Sequence, residues 1–328
     1  MTALLRRLGL YAVAAWAAVT LDFLLPRLMP GDPTAAMFAR FQGKLQPEAM
    51  AALRATFGVS DAPLWRQYLD HLAHLARGEL GTSLAFYPAP VAEIVGTGLG
   101  WTCFLAGGAL VIAFTLGSAL GAWAAWRRES AAALVLAPVL SLLGAFPYFW
   151  LAMAAAWGLG VELRWFPVRH AVGADVPAGE PLAWVGSVLA HASLPALTLV
   201  LSSLGGWMLT MRGAMAGVLA DDSIRYAMAR GLSPRRILLA HAVRNALLPS
   251  LTAFGMAIGF VLGGALLTEV VFSYPGTGYL LLQAVRAQDY PLLNALFLVI
   301  TLAVLGANVI VDVVTTWLDP RTRGQADA

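Results

Sequence analysis

The chain has 328 residues, of which 59% are hydrophobic and only 12% are charged, and its formal net charge is +3. Soluble domains carry about 25% charged residues, so too few polar side chains remain to cover a water-facing surface, which excludes a soluble enzyme and a disordered chain. Nucleic-acid binding needs a cluster of Lys and Arg, and Lys44 is the only lysine. The lone cysteine, Cys103, excludes a disulfide framework, and its apolar surroundings in sequence predict a small buried residue.

The apolar residues form six long stretches, which predict an all-α polytopic membrane protein. A helix of about 20 apolar residues crosses a bilayer core about 30 Å thick. The predicted transmembrane helices lie at about 8–28, 97–126, 131–158, 187–211, 248–268 and 291–315. Pro138, Pro147 and Pro195 lie within these stretches and are expected to kink or break the helices. Arg6 and Arg7 precede the first stretch as in a signal peptide, but no small-x-small cleavage site follows, so we expect an uncleaved helix.

The charges between the spans predict the orientation, because Lys and Arg are enriched in short cytoplasmic loops. With the N-terminus inside, the cytoplasmic segments contain twelve of the 21 cationic residues, namely Arg6, Arg7, Arg127, Arg128, Arg212, Arg225, Arg230, Arg235, Arg236, Arg244, Arg321 and Arg323. The two short outer loops are acidic or balanced. We therefore predict that both termini are cytoplasmic and that residues 1–328 form a single transmembrane domain.

A long external segment, residues 30–93, is predicted after the first span. Within it, residues 63–77 have the spacing of an amphipathic helix with one apolar face. His71 and His74 lie on the polar face at a spacing of i, i+3, with Asp70 beside them, and could bind a metal ion. A solvated helix face explains the same residues, and we favour that interpretation.

The cytoplasmic segment 212–247 contains the clearest local pattern in the chain. Asp221 and Asp222 are candidate N-caps of a short helix over Ser223–Arg230, and Gly231 follows as expected for a C-terminal glycine in the left-handed conformation. Ser233 is expected to cap a second, amphipathic helix that has Pro234 at its first position. A helix lying on anionic lipid is the alternative, which explains the arginines but not two compactly capped helices.

Small residues form two ridges in the predicted spans. Gly255, Gly259 and Gly263 follow one another at i+4 in the fifth span, and Gly117 and Gly121 repeat the pattern once in the second. Such ridges let membrane helices approach closely. The sequence leaves open whether they pack within the chain or between subunits.

The sequence contains no HExxH, GxSxG or Walker A motif, so we expect neither catalysis nor a bound cofactor, and no metal site. The few charges in the spans are Asp22, Asp312 and Glu269. Carboxylates within membranes are functional candidates, but these lie near span ends, where hydrated or paired structural roles are favoured. No role is assigned to Asp22.

Six motifs in chain order resemble those of ABC importer permeases of the oligopeptide/dipeptide/nickel group. The cytoplasmic RYAMARGLSPRR at 225–236, continuing to HAVRNALLP at 241–249, resembles their EAA loop. The other five are LMPGDP at 28–33, PLWRQYL at 63–69, GELGTS at 78–83, EVVFSYPGTG at 269–278 and LDPR at 318–321. The general EAA motif has Glu-Ala-Ala where this chain has Arg225, Tyr226 and Ala227, a departure that is common in the peptide group.

The resemblance implies a permease subunit in a bacterial inner membrane, importing peptides or similar small solutes such as nickel chelates or glutathione. It implies the following partners: a second, non-identical permease, two ABC ATPase subunits that bind the ATP, an extracytoplasmic substrate-binding protein and membrane lipid. The short cytoplasmic helix would be the ATPase-coupling helix, and the residues expected to form the coupling site are Arg225, Tyr226, Ala227, Ala229, Arg230, Gly231, Ser233 and Pro234. The alternative is a stand-alone secondary transporter, which should show inverted repeats and membrane-centred ion ligands; neither is evident.

Overall fold

The computed structural model describes residues 2–28, 62–177 and 179–318, although the side chains of 2–8, 25–27, 259–260, 262–264 and 311–318 are not described. Every regular element in these ranges is a helix, apart from one isolated bridge between Thr82 and Pro90. The all-helical prediction is therefore confirmed. Much of the predicted external segment, and most of the LMPGDP and LDPR motifs, lie outside the described residues.

The described part of the chain forms eleven helices. In chain order they are α1 (Thr2–Leu28), α2 (Leu64–Ala76), α3 (Val91–Trp126), α4 (Ala131–Ala145), α5 (Tyr148–Glu162), α6 (Pro181–Ala220), α7 (Asp222–Ala229), α8 (234–264), α9 (Leu266–Val271), α10 (Thr277–Ala287) and α11 (Tyr290–Leu318). Three helices include a π-helical turn, at Cys103–Gly107 in α3, Ala156–Glu162 in α5 and Ile237–Val243 in α8.

Four described helices are long and apolar enough to cross a membrane, and the bent pair α4 and α5 makes a fifth if it is one span. The four are Val91–Trp126, Pro181–Ala220, Pro234–Ile258 and Tyr290–Ile310. Within α1, the apolar segment Gly9–Leu24, whose side chains are described, is shorter than a full span. The structure thus supports four or five spans, and the six-span topology stays a prediction.

The third predicted span is two helices rather than one. α4 and α5 are bent by 93° at the break between them. Phe146 precedes Pro147 and has an extended conformation, with ψ 139°, because the proline ring disfavours a helical conformation in the residue before it. Pro138 and Pro195, in contrast, lie inside continuous helices.

Helix α6 is much longer than the predicted fourth span. Its 40 residues correspond to about 60 Å at about 1.5 Å per residue, twice the thickness of a bilayer core. It begins at Pro181 and continues to Ala220. The predicted cytoplasmic segment from residue 212 therefore begins inside a helix, and the chain leaves that helix only at Asp221.

The described residues fall into two compact units. The first comprises the residues up to Thr102 together with Pro275–Gly306, and the second comprises Cys103–Tyr274 together with the residues after Gly306. The core of the first unit joins the start of α3 to α10 and the start of α11, and its buried residues are Val91, Val95, Leu280, Ala284, Leu292, Leu293, Ala295 and Leu296. The Thr277 N–H, at the start of α10, donates to Thr102 Oγ1 at 2.8 Å.

In the second unit, α3 and α6 pack backbone against backbone. A Cβ added at Gly117 would lie 2.5 Å from Trp207 Cβ and 3.0 Å from the Leu204 carbonyl oxygen, and one added at Gly121 would overlap the Met208 carbonyl oxygen. Only glycine allows this approach, and close packing is what holds helices together in lipid. The Gly117 and Gly121 ridge therefore packs within the chain.

Gly255 on α8 is partly buried, but the surroundings of Gly259 and Gly263 lie outside what the structure describes, so the role of that ridge stays open.

Cys103 is exposed, not buried as expected. The sequence argument was wrong because, in a membrane-spanning helix, an apolar neighbourhood in sequence is compatible with a lipid-facing position as well as with a buried one.

Candidate functional site

The candidate site is built on α7, which begins at a well-formed N-cap. Asp221 has extended backbone, and its Oδ1 accepts a hydrogen bond from the Ser223 N–H at 2.7 Å. Hydrogen bonding by Ser223 holds the pKa of the Asp221 carboxyl below its ordinary value, because the charged form is the better acceptor. Of the two candidate caps, Asp221 is the cap and Asp222 lies in the first turn, where its Oδ1 is 3.1 Å from Arg225 Nη1.

Replacing Asp221 with alanine is expected to loosen the first turn of α7, since the Ser223 N–H would lose its acceptor. Amide hydrogen exchange at Ser223 and Ile224 should become faster, whereas Asp221→Asn should retain most of the protection. A carboxyl with a lowered pKa stabilises the fold above its unfolded pKa and loses this effect as the pH falls through the folded pKa. Protection should therefore be constant from pH 8 down to about pH 4 and decline below it; equal exchange in all three proteins would contradict the cap.

One face of α7 is buried in the second unit. Ile224 and Ala227 are 0% and 4% exposed. They belong to a cluster whose other buried residues are Ala122, Ala125, Met211, Met215, Ile237, Ala242 and Ala246. Ala227 was expected to belong to the coupling site, but it packs into the interior of its own chain. It therefore anchors α7.

The opposite face of α7 is exposed. Tyr226 and Met228 are 67% and 52% exposed, and Ala229 and Arg230 are exposed beside them. The Arg230 guanidinium carbon lies 5.8 Å from the centre of the Tyr226 ring, a cation–π distance. The exposed surface of α7 therefore combines two large apolar side chains with positive charge.

Helix α7 ends in a Schellman motif at Gly231. The Gly231 N–H donates to the Met228 carbonyl at 2.9 Å, and the Leu232 N–H donates to the Ala227 carbonyl at 3.3 Å. Gly231 has φ +73°, a left-handed conformation that suits glycine. The predicted C-terminal glycine is thus at the predicted position.

The second helix, α8, begins at Ser233 and Pro234. Pro234 occupies the first position of the helix, as predicted, but the Ser233 side chain makes no capping hydrogen bond. The Ser233 carbonyl instead accepts from the Ile237 N–H at 3.0 Å. Ser233 therefore occupies the predicted N-cap position, but its side chain does not take part in capping. The helical run Pro234–Ile258 is itself a candidate span, so the turn at Gly231 leads directly into a helix long enough to cross a membrane.

The two histidines of α2 have protein partners. His74 Nδ1 lies 2.7 Å from Glu79 Oε2, and the hydrogen bond from His74 together with the charge of Arg77 lowers the pKa of Glu79. The His71 ring is 5.5 Å from the Phe23 ring. In the described ranges, no group of three or more His, Cys, Asp or Glu residues could hold a metal ion.

Three carboxylates are buried in the described structure. Asp22 and Glu269, noted in the sequence, are 6% and 1% exposed, and Asp289 is 0% exposed. Sequence reasoning missed Asp289, although its position just before the helix that starts at Tyr290 is typical of an N-cap. The side chain of Asp312 is not described.

The described helices are those of a polytopic membrane protein. A family model described as "Binding-protein-dependent transport system inner membrane component" matches residues 117–324. The chain belongs to this family and is therefore a non-catalytic, inner-membrane part of a system that also includes ATPase and binding-protein components.

The chain is also similar over nearly its full length to named permeases. It is 36% identical over 335 residues to the "Di/tripeptide transport system permease protein DppB" of Pseudomonas aeruginosa, with 98% of each chain covered. It is 32% identical over 337 residues to the "Dipeptide transport system permease protein DppB" of Escherichia coli K12, again with 98% of each covered. The protein of the same name from Alkalihalophilus pseudofirmus is 31% identical over 336 residues, covering 97% of this chain and 98% of that one.

Proposed function

We propose that this chain is one of two non-identical permease subunits of an importer for di- or oligopeptides. Its six spans, with both termini in the cytoplasm, would form half of the passage, and two ATPase subunits would drive transport. The relatives named above support the substrate class, because all three are permeases of dipeptide or tripeptide systems. The observation that carries the proposal is the match along almost the whole chain.

The distribution of charge supports the orientation. α7 and the start of α8 lie in the segment that contains Arg225, Arg230, Arg235 and Arg236, and short cationic segments stay in the cytoplasm. In this orientation α2 and the connection from α10 to α11 are external. α1 serves as the first span, and the bent pair α4 and α5 as the third.

The geometry of α7 supports its role as the ATPase-coupling helix. Its buried face fixes it to the ends of α3 and α6 through Ile224 and Ala227, while Tyr226, Met228 and Arg230 are exposed for contact with an ATPase. The Gly231 turn and Pro234 connect it to α8 over only a few residues. Displacement of α7 would therefore move the packed helices as a rigid body.

Reconstitution tests the proposal. Proteoliposomes that contain this chain, the second permease, both ATPases and the binding protein should hydrolyse ATP and accumulate a labelled dipeptide. Vesicles with this chain alone should do neither. Uptake by the isolated chain under an ion gradient would favour the secondary-transporter alternative and overturn the proposal.

A further inference from the structure

A tightly bonded loop, residues 81–91, lies in the first unit between α2 and α3. Its ends are paired by a hydrogen bond from the Val91 N–H to the Gly81 carbonyl at 3.0 Å. Its middle is paired by one from the Ser83 N–H to the Ala89 carbonyl at 3.1 Å. The Phe86 N–H also donates to Ser83 Oγ at 3.1 Å. The loop therefore has a defined conformation without belonging to a helix.

One buried carboxylate fixes this loop to α11. Asp289 is 0% exposed. Its Oδ2 accepts hydrogen bonds from Ser83 Oγ and from the Ala85 N–H, the latter at 2.9 Å, and its Oδ1 accepts from the Leu292 N–H at 3.1 Å. Both oxygens therefore accept hydrogen bonds, and movement of the loop away from α11 would leave buried oxygen atoms of Asp289 without donors, which is unfavourable.

The fixed loop exposes two aromatic residues at its tip. Phe86 is 38% exposed and Tyr87 is 52% exposed, and exposed Pro88 follows them. The thirteen residues from Leu80 to Ala92 include no charged side chain. Aromatic residues with few charges around them are typical of the centre of a protein–protein interface.

We propose that the tip of the 81–91 loop, formed by Phe86, Tyr87 and Pro88, is a docking surface for the extracytoplasmic substrate-binding protein. This inference rests on the proposed topology, which makes the loop external. The family requires a binding protein as partner, and that partner approaches from the external side. A rigid aromatic tip binds with little loss of conformational freedom, which favours its use as an anchor.

A lipid contact is the competing use of exposed aromatic residues, and α2 suits it better. α2 has no buried residue, and it exposes Leu64, Trp65 and Leu69. Such an amphipathic helix can lie in the headgroup region. The short 81–91 loop lacks this row of apolar residues, and its conformation is set by Asp289.

Binding measured on the assembled transporter tests the inference. The complex of both permeases and both ATPases would be placed in nanodiscs and titrated with the fluorescently labelled binding protein of the same system. The double variant Phe86→Ala, Tyr87→Ala should raise the Kd at least about tenfold, as expected for loss of a central aromatic anchor. Trp65→Ala is the matched control, since this exposed aromatic residue lies on α2, and it should leave the Kd unchanged. An unchanged Kd in the double variant, or an equal loss in the control, overturns the inference.

A labelling experiment separates failure of this inference from failure of the proposed function. Tyr87→Cys, in a Cys103→Ser background, should react with a membrane-impermeant maleimide added outside intact cells, and saturating binding protein should slow the reaction. Reaction only after the cells are opened would overturn the proposed orientation. Reaction from outside that the binding protein does not slow would overturn the docking surface alone.

Discussion

Gly231→Pro is expected to reduce peptide uptake to background while the protein still inserts and assembles. Proline has no N–H, so the 2.9 Å hydrogen bond from Gly231 to the Met228 carbonyl is lost. Its ring fixes φ near −65°, whereas the turn requires φ +73°. The connection between α7 and α8 would have to rearrange, and a push on α7 would no longer be transmitted to the span.

Gly231→Asn provides the matched control, because asparagine tolerates the left-handed conformation and no heavy atom lies within 4 Å of an added Cβ. It should retain most of the uptake. The measurement is labelled dipeptide uptake, together with binding-protein-stimulated ATP hydrolysis, in proteoliposomes with equal amounts of each variant. Normal uptake by Gly231→Pro would show that this turn does not couple the subunits.

Gly121→Ala is expected to destabilise the packing of α3 against α6. Its Cβ would lie 2.9 Å from Met211 Cβ and 3.0 Å from the Arg212 backbone nitrogen, and would overlap the Met208 carbonyl oxygen. Because two of these groups are backbone, α3 and α6 must separate. Overpacking of this kind costs about 1–3 kcal/mol.

The purified chain in detergent should therefore unfold at a temperature lower by several degrees. Gly206→Ala is the control, because Gly206 lies on the exposed side of α6. No heavy atom lies within 4 Å of its added Cβ, and replacing a helical glycine by alanine at such a site stabilises a fold by up to about 1 kcal/mol. Equal midpoints for Gly121→Ala and the unmodified chain would show that the helices do not approach this closely.

The local chemistry of the candidate site was predictable from the sequence, but its orientation was not. Asp221, Gly231 and Pro234 act through their own backbone and nearest neighbours, so their order in the chain is sufficient to place them. The direction in which Ala227 faces depends on contacts with α3 and α6, distant in the sequence. For this reason the sequence analysis assigned Ala227 to the coupling site, whereas in the structure Ala227 anchors α7 to its own chain.

In the spans, too, local features were predictable from the sequence, whereas features set by distant contacts were not. Apolar length located the helices, and of the three prolines expected to kink or break them only Pro147 lies at a break, whereas Pro138 and Pro195 lie inside continuous helices. A 93° bend and a 40-residue α6 depend on which helices pack against each other, which periodicity does not specify. Asp289 was missed because the groups that explain it, Ser83 and Ala85, lie about two hundred positions earlier in the chain.

The steep break between α4 and α5 has a consequence for the surrounding lipid. Each half has 15 residues, about 22 Å of helix, so neither can match a hydrocarbon layer of about 30 Å. If the pair makes a single crossing, at least one of the two helices lies oblique to the bilayer normal and leaves a local hydrophobic mismatch, which local thinning of the bilayer would relieve. The rate of transport should then depend on the acyl-chain length of the lipid, because shorter chains would ease the movement of that helix.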